Sequence, residues 1–261
     1  MSDLRLATLV PLLIADAPAK AAATLALDAN LPVDVHAAIA DPGGIPGRPE
    51  RPCLVEHIKL KPPSMRTPAG IAALVHAIAH IELNAIDLAL DICWRFAGMP
   101  DAFYRDWLRI AQEEAKHFTL LREHLLGLGF DYGDFDAHNA LWEMAERTKH
   151  DLLARIALVP RTLEARGLDA SPAVRAKLVG AGDRKAGEIL DVILHDEIGH
   201  VLAGNGWYRF LCEQRGLEPV STYAELASKY QAPRLRAPFN LDARRAAGFD
   251  EAELAALQQG G

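Results

Sequence analysis

Two stretches of this sequence place a glutamate three residues before a histidine, Glu114-Ala115-Lys116-His117 and Glu197-Ile198-Gly199-His200. Each is preceded by an isolated glutamate, Glu82 by 32 residues and Glu164 by 33. Glutamate at i and histidine at i+3 share a helix face, so one helix can offer both to the same metal. Four carboxylates and two imidazoles carried by four helices are the ligand set of a carboxylate-bridged dinuclear metal site. Hard oxygens with imidazole suit iron(II) or manganese(II) rather than copper(I) or a thiolate zinc site. The expected cofactor is two Fe ions, with Mn or a mixed Fe/Mn pair as the alternative. Glu114 and Glu197 are expected to bridge the ions, Glu82 and Glu164 to be terminal, and His117 and His200 to complete one ion each.

The competing reading is a set of surface acids and core histidines, and helical phase separates the two. Stepping by three and four through Glu114 gives Trp107, Ile110, His117, Leu121 and Leu128. Through Glu197 the same steps give Ala186, Leu190, Ile193, His200, Trp207 and Leu211, and through Glu82 they give Ile71, Val75, Ile78, Ala85, Ala89 and Ile92. In these three helices the ionisable group interrupts an apolar stripe. A buried carboxylate without a compensating charge costs several kcal/mol, roughly, and metal ions can compensate several carboxylates at once.

Glu164 is less clear. Its stripe contains Ala157, Leu153, His150 and Glu146, and Pro160 must disturb the helix before it. The repeat spacing argues for a ligand, the local pattern for a surface acid near a helix end. Asp196 and Glu113 each sit four residues before a ligand histidine, where they can accept its outer N–H and fix the tautomer. The alternative for both is a solvated acid. His80 and His195 read as core or surface histidines, and His150 and Glu146 as distant from the metals.

The elements that must carry these residues read as all-α. Thr67-Pro68 caps a helix of about 68–97, closed by Gly98 and Pro100. A second runs from near Asp101 to Gly127. A third covers about 138–167, ending at Gly167. Ser171-Pro172 signals the start of a fourth, continuing to Gly216, with Gly180, Gly182 and Gly187 breaking its first part. Short connections make the first pair and the last pair antiparallel hairpins. The domain reading is 1–67, an N-terminal helical segment (3–27) and a Pro-rich arm (41–68) packing on the bundle; 68–216, the four-helix bundle with the dinuclear metal site; and 217–261, a C-terminal extension. That extension holds a short helix near 222–230, a basic extended stretch and a last helix near 250–258.

Half of the 261 residues are hydrophobic and the net charge is −7, which suits a globular fold and gives no whole-chain attraction to nucleic acid. Cys53, Cys93 and Cys212 form no Cys-x-x-Cys, so neither a rubredoxin-type iron site nor a zinc ribbon is encoded. The sparse, odd cysteine count suits a reducing, cytoplasmic setting. The apolar residues 4–14 read as a packing helix rather than a signal peptide. No stretch reads as long enough to span a membrane.

Four segments carry a resemblance to a known family. They are His80-Ile81-Glu82-Leu83-Asn84-Ala85-Ile86-Asp87-Leu88, Glu113-Glu114-Ala115-Lys116-His117-Phe118, Pro160 to Asp169, and His195-Asp196-Glu197-Ile198-Gly199-His200-Val201. They resemble the ferritin-like superfamily of di-iron carboxylate proteins, and the wider chain resembles a bacterial group of ferritin-like proteins of unknown function. The resemblance implies a ferritin-like four-helix bundle. It extends, more distantly, to di-iron tRNA hydroxylases. The first functional expectation is therefore an oxygen-activating hydroxylase, with O2, a substrate and an electron donor as partners. Lys229, Arg234, Arg236, Arg244 and Arg245 make contact with tRNA an option, against the plainer reading of a solvated basic surface. The alternatives are ferroxidase or peroxide-scavenging iron handling, and a non-enzymatic metal-binding module. If the hydroxylase reading holds, some of Trp107, Ile110, Phe118 and Trp207 line an apolar pocket that reaches the metals, capped by residues 41–66 or the tail.

Overall fold

The computed structural model describes residues 3–56, 59–60 and 64–260. Residues 57–58 and 61–63 of the expected Pro-rich arm lie outside them. Helix dominates, and the described residues contain no strand beyond one isolated bridge, between Leu54 and Ala137. Two compact units divide the chain. The first comprises 1–140 with 178–189, the second 141–177 with 190–261.

The first unit is built on an antiparallel hairpin of α4 (Pro68–Arg95) and α5 (Asp101–Gly127). Thr67 caps α4 by accepting from Gly70 N at 3.1 Å, and Pro68 occupies the first turn, where its missing N–H costs nothing. At the other end Gly98 turns the chain with φ +83°. The last carbonyls of α4 are satisfied from far away. Buried Arg5 donates to Cys93 O at 3.2 Å and Trp94 O at 2.9 Å, and also to Asp34 O and Ala37 O.

Arg5 sits on α1 (Leu4–Ala7), followed by α2 (Leu9–Leu13) and α3 (Ala17–Leu25). The expected N-terminal helical segment is thus three short helices. Leu4, Leu9 and Leu12 are buried, as a packing role requires. The arm that follows is extended, as Pro-rich sequence dictates. It is tied down where Gly47 N donates to Leu12 O at 2.8 Å. A Cβ at Gly47 would come within 2.2 Å of Leu13 O, so only glycine permits that approach.

Helix α4 corrects one expectation. By length and composition it could cross a bilayer, with a mean hydropathy of 1.5 over its most apolar window. In the fold, however, it carries buried Glu82, Asp87 and Asp91, and Lys20 pairs with Asp87 in the interior. Its apolar character comes from core packing on more than one side.

The second unit departs further from the expected helices. The third helix is not continuous. It consists of α6 (Ala140–Arg147), α7 (Leu152–Leu158), a π-helical turn (Val159–Glu164) and α8 (Ala165–Gly180). Asp151 starts α7 by accepting from Ala154 N at 3.2 Å. Buried Arg155 fastens the break, donating to Thr148 Oγ1 at 3.0 Å and Ala145 O at 2.6 Å. Pro160 disturbs the helix as expected, and the disturbance takes the form of the π turn, within which Thr162 Oγ1 donates to Ala157 O at 2.8 Å.

Ser171-Pro172 does not start a helix. It lies inside α8, which runs through Gly167 as well. Proline removes the donor that Leu168 O would otherwise receive, but Asn240 Nδ2 donates to Leu168 O at 3.2 Å and Ser171 Oγ to Gly167 O at 2.8 Å. With both carbonyls occupied, the helix continues across the proline. The real break is at Gly182, φ +97°, after which α9 (Arg184–Arg215) begins. Three further helices follow, α10 (Pro219–Lys229), α11 (Leu241–Ala246) and α12 (Glu251–Gly260). Ala243 and Ala247 pack with Ala165, Leu168 and Val201 in a small core.

Candidate metal centre

The stripe read from sequence is buried in α4 and α5. Val75, Ala85, Ala89 and Ile92 are sealed on α4, and Trp107, Ile110 and Leu121 on α5. Within it lie Glu82, 3% exposed, and Glu114 and His117, both 0% exposed. The hairpin brings these three together: their ligand atoms lie within 4.8 Å of one another. His117 Nδ1 is 3.1 Å from Glu82 Oε2 and 3.3 Å from Glu114 Oε2. This buried Glu/His cluster can hold a metal ion.

Its electrostatics show what such a cluster demands. Burial by itself disfavours the imidazolium of His117, but hydrogen bonds to Glu114 and Glu82 and their charges outweigh it and push its pKa up to about 11. A proton on the imidazole thus partly neutralises two sealed carboxylates. A divalent cation offers the same compensation with more charge, and the donor set, hard oxygens plus one imidazole nitrogen, suits it.

The second motif behaves alike within its own unit. On α9, Ala186, Leu190, Ile193 and Leu211 are buried, with Glu197 8% and His200 0% exposed. His200 Nδ1 lies 3.7 Å from Glu197 Oε1. Trp207 is half-buried, as is Glu164, which closes the π-helical turn. Glu113 is half-buried and accepts from Arg109 Nη1 at 2.7 Å, and Asp196 is also half-buried. His195 is exposed. Trp107 and Phe118 pack as core, Trp107 edge-on to Phe103 and Phe118 edge-on to Tyr132.

Sequence reasoning missed a polar interior beside the cluster. His76, His80, Asn84 and Asp87 follow each other along α4, one face over from Glu82, and all are buried. His80 Nδ1 is 2.7 Å from Tyr132 Oη and its Nε2 is 3.0 Å from His138 O. Burial holds His76 and His80 down at about 4, so both are neutral. With Arg48, Pro49 and Tyr132, His80, Asn84 and Asp87 line a cavity of about 20 Å3, room for one water. The available signal was their i, i+4 spacing in an otherwise apolar helix.

Comparison with known proteins places the chain without adding an activity. No solved structure matches it. A Haemophilus influenzae protein described as "Uncharacterized protein" is 51% identical over 213 residues, covering 79% of this chain and 74% of the relative. The family model "Protein of unknown function (DUF455)" matches residues 13–255, and the chain belongs to that family.

Proposed function

We propose that the protein is a dinuclear metal carboxylate protein with a ferritin-like ligand set, and that with two iron ions it is an oxygen-activating hydroxylase. The observation that carries this reading is the sealed Glu82–Glu114–His117 cluster. Glu164, Glu197 and His200 supply the matching half, supported by the repeated spacing and by the burial of both Glu-x-x-His motifs. A bound iron pair supplies the electrons and Lewis acidity for oxygen chemistry. The chain's own residues do the rest. Glu82 and Glu114 bring negative charge to the sealed interior of the first unit. His117 Nδ1, which faces Glu82 and Glu114, would give up its proton on holding a metal, so uptake would release a proton. The packed aromatic residues Trp107 and Phe118 keep bulk water away.

The test is metal analysis of the purified protein, followed by an optical spectrum of the anaerobically reduced iron form before and after exposure to air. Two ions per chain and an iron-dependent absorption that grows with air support the reading. Zinc or no metal after iron supplementation overturns the metal assignment. Uptake of many iron ions per chain replaces the hydroxylase with iron storage.

A further inference from the structure

Arg161 and C-terminal residues of the second unit line an open cavity of about 710 Å3, within the range of small-molecule pockets. Its wall is apolar through Ala224, Ala227, Pro233, Leu257 and Phe249, and cationic through Arg161, Arg234 and Arg244. Glu253 is the one acid among its described lining residues.

Two of these arginines are sealed in place. Arg161 is 4% and Arg244 1% exposed. Arg161 donates from Nε to Asn205 Oδ1 at 2.8 Å and from Nη2 to Glu253. Arg244 donates from Nε and Nη2 to Asp169, at 3.0 and 2.6 Å, with a longer contact from Nη2 to Ala165 O. Among the described residues, Nη1 of each takes no hydrogen bond. Both guanidiniums lie over the Phe249 ring, each 5.1 Å from its centroid. Glu253 is fixed by a reciprocal cap with Asp250, each accepting the other's backbone N–H, at 2.8 and 2.9 Å. Asp169 and Glu253 therefore orient the two guanidiniums while each keeps one donor in hand. Arg234, exposed on the same wall, adds a third.

Rigid, partly spent guanidiniums suit the planar or tetrahedral oxygens of an anion. The apolar remainder of the wall suits a hydrocarbon body. We infer that this cavity is a binding site for an amphipathic oxyanion, a carboxylate or phosphate headgroup on an apolar chain. The inference stands on the second unit alone and does not depend on metal at the carboxylate cluster.

Calorimetric titration of the full-length protein with decanoate, decyl phosphate, decanol and inorganic phosphate tests it. Saturable binding of one or both amphipathic anions is expected, and the tighter of the two fixes the headgroup. Arg234→Gln should weaken that binding about threefold or more, and Ala227→Trp, which fills the cavity, by more than about tenfold, or 1.4 kcal/mol. Far-ultraviolet dichroism checks that Ala227→Trp stays folded, and the exposed position of Arg234 keeps the test decisive if it does not. Decanol binding as tightly as the anions, inorganic phosphate alone sufficing, or undiminished binding by Arg234→Gln overturns the proposal.

Discussion

Lys20 Nζ donates to the carboxylate of Asp87 in the interior of the first unit, with side chains 1% and 4% exposed. The ammonium also donates to Gly47 O at 3.0 Å, so one lysine joins α3, α4 and the extended arm. Burial raises the pKa of Asp87, and Lys20 acts against that rise. Removing one partner strands the other's charge in a dry site. Lys20→Met should cost about 3–5 kcal/mol in urea unfolding. The double variant Lys20→Met/Asp87→Leu should recover part of that loss. A single variant within ~1 kcal/mol of the parent would show that water reaches the pair.

Loss of a bridging ligand affects two ions, loss of a terminal ligand mainly one. Glu114→Ala and Glu197→Ala should leave less than about half an ion per chain, while Glu82→Ala and Glu164→Ala keep about one. Metal-to-protein ratios of the four purified variants decide the matter. Equal loss in all four would remove the distinction between bridging and terminal roles.

His76 links stability to acid. Its Nε2 accepts from Gly133 N at 2.9 Å, and its ring stacks on Tyr132. Burial depresses its pKa to about 4 from 6.5, with Asp134 opposing weakly. Between those values the unfolded chain binds a proton that the folded chain does not. The contribution is therefore fully present above pH 6.5 and is lost as pH falls towards 4, by ~3 kcal/mol at most. His76→Gln should flatten the melting temperature against pH over that window. An unchanged slope would mean other groups carry it.

The contact at Gly47 should be intolerant of even one methyl. Gly47→Ala must move Leu13 or the arm, and a loss of about 1–3 kcal/mol is expected. Limited proteolysis should also cut sooner within residues 41–56. Parental stability with parental proteolysis would show that the backbone there yields without cost.

What the sequence disclosed and what it hid follow from range. Glu82, Glu114, His117, Glu197 and His200 stand on long helices whose 3.6-residue period survives any local detail, so their burial could be read from neighbours three and four residues away. The course of residues 140–180 could not. Whether Pro172 ends a helix depends on Asn240, nearly seventy residues later, which takes over the carbonyl that the proline leaves. The Arg161–Glu253 pair was hidden for the same reason: it joins positions |i−j| = 92 apart, and no local pattern announces it.

The π turn at Val159–Glu164 has a consequence for how Glu164 is aimed. One extra residue within a helix rotates everything beyond it by about 100° about the axis, because a turn holds 3.6 residues. The face counted back from Glu164 through Ala157 and Leu153 is therefore not the face that Glu164 shares. Excising a single residue such as Thr162 would take out the extra residue and swing α8 and Glu164 to a different azimuth relative to α7. The bearing of that carboxylate is set by the number of residues between α7 and α8, with Pro160 among them.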